Sequence, residues 1–189
     1  MMVGTQTDPR WDNIIGKEWM CSSCEDLHTG IIDLAYDWPD HWNGDKAIHL
    51  NNKLTRDAEN ILTEDFCVIG GEHYFVRCIA LFPLQGYEDA DFGIGLWSSL
   101  SKENFITYVE HFDSDEQDHL GPWFGWLSNA VGLYPDTLNL KLKVYPQNDG
   151  QRPEVIIEPT DHPLAQDQKN GISYERLTSL YDFMGHTVN

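Results

Sequence analysis

The clearest periodicity in the chain lies at 138–144, where Leu138, Leu140, Leu142 and Val144 alternate with Asn139, Lys141 and Lys143. A period of two puts one set of side chains in a core and the other in solvent, so the segment predicts a half-buried strand. Asn148, Asp149 and Gly150 read as a turn, and 154–158 as the antiparallel partner that follows it. Pro153 stands at that strand's start, where its missing N–H costs no ladder bond. Upstream, 66–69 and 72–84 are rich in β-branched and aromatic residues around Gly70-Gly71, the composition of a hairpin with a two-residue loop, and 92–100 is the next strand. In that register Ile69 pairs with Glu72 and Cys67 with Tyr74, which places Cys67 and Cys78 on one face and His73 on the other.

Helical spacing appears elsewhere. Ser101 is a candidate cap, with Glu103 in the first turn and Phe105, Ile106, Val109 and Phe112 as an apolar stripe that ends in the acidic run 113–118. Ala58, Ile61 and Leu62 predict a short helix over 55–62. Thr160 or Asp161 caps a helix with Pro163 in its opening turn, leaving His162 exposed. Ser173 caps another, with Leu177, Leu180, Tyr181 and Met184 on one side. Hairpin-linked strands with helices mainly on one face of an antiparallel sheet make an α+β fold. Asp8-Pro9 and Gly16 interrupt any pattern at the start, so residues 1–18 are expected as an irregular arm and 19–189 as a single domain.

Charge changes the picture of function more than of fold. The 189 residues carry 31 Asp and Glu against 12 Lys and Arg, a formal net charge of −19. That balance repels phosphate backbones and anionic lipid and favours a basic protein partner or bound cations, so neither nucleic acid nor membrane is expected. Residues 1–17 hold no basic region followed by an apolar stretch, and no apolar run is long enough to span a bilayer. A cytoplasmic location is the expectation. The four cysteines then read as thiols or metal ligands, not disulfides.

Cys21-Ser-Ser-Cys24 has the spacing with the strongest chemical meaning, because a tight turn aims both sulfurs at one tetrahedral cation, with His28 close behind. Cys21, Cys24 and His28 are therefore candidate ligands of zinc, and the fourth is sought among Cys67, His73 and Cys78. The hairpin register argues against joint coordination by those three, which makes Cys67 and Cys78 core residues. A redox dithiol is disfavoured, since Glu25 and Asp26 raise the thiol pKa and Gly30 breaks any following helix. There is no phosphate-binding glycine loop, no His-Glu-x-x-His and no nucleophile elbow, and Gly93-Ile-Gly95 lies inside a strand pattern, where it marks close backbone approach. Trp38, Trp42, Trp123 and Trp126 are the candidate aromatic anchors for a partner.

The chain resembles a bacterial family known only as domain of unknown function 2199. The likeness runs through Cys21-Ser-Ser-Cys24 with His28, Phe66-Cys-Val-Ile-Gly with Glu72-His73-Tyr-Phe, Gly95-Leu-Trp-Ser-Ser-Leu-Ser101, Gly121-Pro-Trp-Phe-Gly-Trp-Leu-Ser128, Tyr134-Pro-Asp-Thr137 and Glu158-Pro-Thr-Asp-His-Pro-Leu-Ala165. The chain departs from it at Cys78 and over 43–59. The resemblance implies no activity, substrate or cofactor.

Three functions follow as expectations. The first is a non-enzymatic binding protein, most concretely an immunity protein whose acidic face blocks a basic, nuclease-type toxin. The second is a zinc-stabilised regulatory or scaffold module. The third is a hydrolase using His28, His73 and acids such as Glu72.

Overall fold

The computed structural model describes residues 8–188. Its strands are β1 (Glu18–Met20), β2 (Leu27–Thr29), β3 (Leu34–Ala35), β4 (Ile61–Leu62), β5 (Phe66–Ile69), β6 (His73–Leu84), β7 (Tyr87–Leu100), β8 (Trp123–Trp126), β9 (Lys141–Tyr145) and β10 (Glu154–Ile157). The helices are α1 (Lys102–His111), α2 (Pro163–Asn170) and α3 (Tyr174–Phe183). β1 and β2 form a separate antiparallel ladder, and the main sheet runs β3-β7-β6-β10-β9-β8, with β5 also on β6 and β4 on β5. The α+β class holds, but the sheet is mixed: β3 lies parallel to β7 and β10 parallel to β6. The last strand curls back to β7 through a bridge between Ser98 and Leu127, and the Ser128 N–H donates to the Trp97 carbonyl at 2.9 Å.

The β6–β7 hairpin is the spine, paired from Tyr74 with Leu100 to Leu84 with Tyr87. Val76, Cys78, Ala80 and Phe82 point to one side of β6 and are all fully buried. Phe105 and Tyr108 of α1, Leu164 of α2, and Leu177, Leu180 and Tyr181 of α3 join that same core. Each such large apolar side chain stabilises the fold by about 1.5–3 kcal/mol relative to exposure. The opposite side carries a smaller cluster of Leu62, Cys67, Phe75 and Trp97, covered by Tyr36, Trp38, Trp42 and Ile69 instead of a helix. Helices therefore pack on one face, as the sequence predicts.

Two local expectations are corrected. The β5–β6 loop is one residue longer than expected, because Ile69 pairs with His73 and Cys67 with Phe75. Gly70 and Gly71 both take positive φ, and Glu72 completes the turn. A one-residue shift reverses faces, so Cys67 lies in the smaller cluster and Cys78 in the main core. No helix forms over 55–62: Ile61 and Leu62 pair with Val68 and Cys67, and burial of Leu62 against the sheet overrides a weak helical pattern. Likewise His162, not Thr160 or Asp161, caps α2, its Nδ1 accepting the Leu164 N–H at 3.1 Å.

Of residues 1–18, those at 1–7 lie outside the described part. Pro9–Asn13 form a 3-10 turn that buries Trp11, whose indole N–H donates to the Gln85 carbonyl at 2.9 Å. Gly93 shows the expected close approach, since a Cβ there would stand 2.6 Å from the Asp33 carboxylate, which accepts the Gly93 N–H. Among the described residues no helix is long and apolar enough to cross a membrane.

Candidate metal centre

The segment between β1 and β2 is a tight knuckle. The Glu25 N–H returns to the Cys21 carbonyl and the Cys21 N–H to the Asp26 carbonyl, both at 3.0 Å, with Glu25 in the left-handed region at φ 62°. This turn brings Cys21 and Cys24 to one side. β2 pairs His28 with Trp19, and its Nε2 reaches the Cys24 Sγ at 3.2 Å.

The fourth group comes from the far end of the chain. Behind α3, Gly185 takes φ 81°; the Gly185 N–H bonds back to the Asp182 carbonyl and the His186 N–H to the Tyr181 carbonyl at 2.8 Å. This Schellman arrangement fixes the direction of the residue after glycine. It delivers the His186 Nδ1 to 3.6 Å from the Cys24 Sγ and 3.8 Å from the Cys21 Sγ. The four ligand atoms all lie within 4.8 Å of one another. Zinc bond lengths of about 2.3 Å to sulfur and 2.0–2.1 Å to nitrogen, at tetrahedral angles, require edges of roughly 3.3–3.8 Å. The Cys24–His28, Cys24–His186 and Cys21–His186 separations of 3.2, 3.6 and 3.8 Å lie close to these edges, and the remaining pairs, all within 4.8 Å, would draw in around an ion.

The surroundings prepare the sulfurs as ligands. Burial raises the Cys21 thiol pKa, but backbone N–H groups of Cys24, Thr187 and Ser23, together with His186, outweigh it and bring it down to about 5. The Cys24 and Thr187 N–H groups lie 3.4 and 3.2 Å from that sulfur. Cys24 accepts a backbone hydrogen bond from Asp26, yet burial and the neighbouring Cys21 leave its pKa raised. A cation would remove that mutual repulsion. The rings connect the cluster to the core: His28 meets His186 edge-on with centroids 4.8 Å apart, and Trp19 lies between His28 at 4.9 Å and Tyr181 at 5.8 Å.

Cys21, Cys24 and His28 thus come together. His186 escaped sequence reasoning because it is remote from them, although Gly185 after the apolar α3 pattern marked a helix end that aims the next residue. Cys67, Cys78 and His73 stay apart from the cluster. Burial pushes Cys67 up to about 12 and raises Cys78 further, so both remain neutral core thiols.

The aromatic candidates divide. Trp123 is buried, 6.1 Å from the Tyr108 ring, and takes no part in a surface. Trp38 and Trp42 are half-buried over the smaller cluster, with the Lys46 ammonium 4.9 Å from the Trp38 ring. Trp126 is 40% exposed and Phe124 47%. The hydrolase set is not assembled: His28 belongs to the cysteine cluster, while His73 lines a cleft with His41 and Trp126.

No curated protein and no solved structure matches the chain. The family model described as "Uncharacterized protein conserved in bacteria (DUF2199)" matches residues 20–172, a span that holds Cys21, Cys24 and His28 and stops short of His186. With most of its length matched, the chain belongs to that bacterial family.

Proposed function

We propose that this chain is a non-catalytic binding protein whose two ends are joined by a structural zinc ion held by Cys21, Cys24, His28 and His186. The observation that carries this reading is the set of four soft and borderline donors within 4.8 Å, supplied by both ends of the chain. Thiolate and imidazole donors select zinc over magnesium or calcium, and four protein ligands leave no coordination position open for substrate. Metal analysis of the purified protein tests it. Near-stoichiometric zinc, lost with a large fall in Tm on chelation, is the expected result. A chain that melts identically with and without zinc overturns it.

A basic protein partner, of the kind an immunity protein meets in a nuclease-type toxin, is the accompanying reading. It is supported by the exposed Asp113, Asp115, Glu116 and Asp118, beside which Asp149 is held by its N–H on the Asp115 carbonyl. All five arginines are ion-paired, so they neutralise none of these groups. Clustered carboxylates steer association with a cationic surface. Pull-down from the native host tests this part: a basic partner displaced by salt supports it, and recovery of none counts against it.

A further inference from the structure

On the helix-free face, the end of the smaller cluster opens into a cleft of about 410 Å³ lined by His41, Ile69, His73, Phe75, Ser99, Trp126, Ser128 and Asn139. In a chain with 31 acids, no carboxylate is among these lining residues. The floor is aromatic, with the His41 ring stacked on Phe75 at 5.9 Å. Trp126 forms a wall and is fixed from both sides: its N–H donates to the Ser99 Oγ at 3.1 Å, and its carbonyl accepts from the Ser128 Oγ at 3.0 Å. Phe124 meets the Trp126 indole edge-on with centroids 4.9 Å apart, extending the aromatic surface.

The neighbouring strand supplies charge of the opposite sign to the rest of the molecule. In the β8–β9 ladder Trp126 stands opposite Lys141 and Phe124 opposite Lys143. Directly opposed residues share a face, with Cβ atoms about 4.5–5.5 Å apart. Both lysines are exposed, and among the described residues neither takes part in an ion pair.

We infer that this cleft binds a small planar aromatic anion of about the size of a nucleoside monophosphate, its ring stacked on Trp126 and its acidic group held by Lys141 and the two imidazoles. A volume in the range of about 300–1,000 Å³ suits such a ligand. A long polyanion is repelled by the whole chain, but a small ligand responds most to charges within a screening length of about 8 Å, and Lys141, opposite Trp126, lies within that range of it. This inference is independent of zinc.

The test is calorimetric titration of the full chain with AMP and UMP in one arm and indole-3-acetate in the other, with adenosine and inorganic phosphate as separate controls. One arm is expected to bind with Kd below about 1 mM, and each control at least roughly tenfold more weakly. The arm that binds identifies the acidic group as phosphate or carboxylate. Trp126→Ala and Lys141→Glu, both at exposed positions and checked for unchanged circular dichroism, should each weaken binding by roughly tenfold. Absence of binding in both arms below about 1 mM, or binding indifferent to both substitutions, overturns the inference.

Discussion

The Sγ of Cys24 lies 3.6 Å from the Nδ1 of His186, across 162 positions of sequence. No short-range pattern relates the two. The contact exists because the β1–β2 knuckle and the end of α3 pack side by side, with the Ser22 N–H on the Thr187 carbonyl and the Ser23 hydroxyl 2.7 Å from that of Thr187.

His186→Ala and Cys24→Ser should each abolish stoichiometric zinc, whereas Cys67→Ser, in a separate cluster, should leave it intact. With free zinc a thousandfold above Kd, the wild-type chain gains about 4 kcal/mol from the ion. Denaturant melts with and without zinc measure that gain, which should vanish in the first two variants.

Gln168 occupies the gap where β10 diverges from β6. Its Oε1 accepts the Ile157 N–H at 2.9 Å and its Nε2 donates to the Val155 carbonyl at 2.8 Å, so one side chain stands in for a neighbouring strand. Gln168→Leu leaves two buried backbone groups without partners and should cost about 2–5 kcal/mol in urea unfolding. Gln168→Glu, which keeps the acceptor, should also destabilise because the donor is lost.

Arg10 bridges the start of the described chain to α3, 2.5 Å from both Asp8 and Glu175. Its side-chain hydrogen bonds hold the Asp8 pKa below its usual 3.8. Glu175 is held below 4.5, first by its own backbone N–H and then by Arg10. Lowered folded-state values mean stabilisation that is present above the unfolded values and fades as pH falls through the folded ones. Arg10→Ala should therefore lower Tm at pH ~7 and have little effect at pH ~2, where both carboxyls are protonated.

Glu25 takes φ 62° in the knuckle. An L side chain in this region costs about 1 kcal/mol that glycine avoids. Glu25→Gly should raise stability by up to that amount without altering zinc content, and Glu25→Val should lower it.

Much of the architecture was legible because its signals are local. Ser101 and Ser173 cap α1 and α3 through hydroxyls that accept the Asn104 and Arg176 N–H groups, as their positions before apolar stripes imply. The β9–β10 pair follows from alternation and the Asp149-Gly150 turn, but the strand expected over 138–144 begins only at Lys141, because Asn139 takes φ 65° and leaves Leu138 exposed instead of in the core. What failed depended on distance. The hairpin register turned on one loop residue, Leu62 was drawn into a strand by Cys67, and the parallel neighbours of β6 and β7 join segments with no shared local pattern. The candidate centre divided the same way: Cys21, Cys24 and His28 sit within eight positions, while His186 is placed by tertiary packing. Trp123 and Trp126 differ by three positions and looked alike in composition, yet one is core and the other surface.

The Schellman turn that delivers His186 also sets an order of events during synthesis. While α3 is still inside the ribosome, an emerged chain offers an ion only Cys21, Cys24 and His28, a trio that leaves one coordination position to water. The fourth ligand lies beyond α3, so full tetrahedral capture waits until that helix and its closing glycine turn have formed. A chain stalled before His186 would offer an ion three of these ligands in place of four.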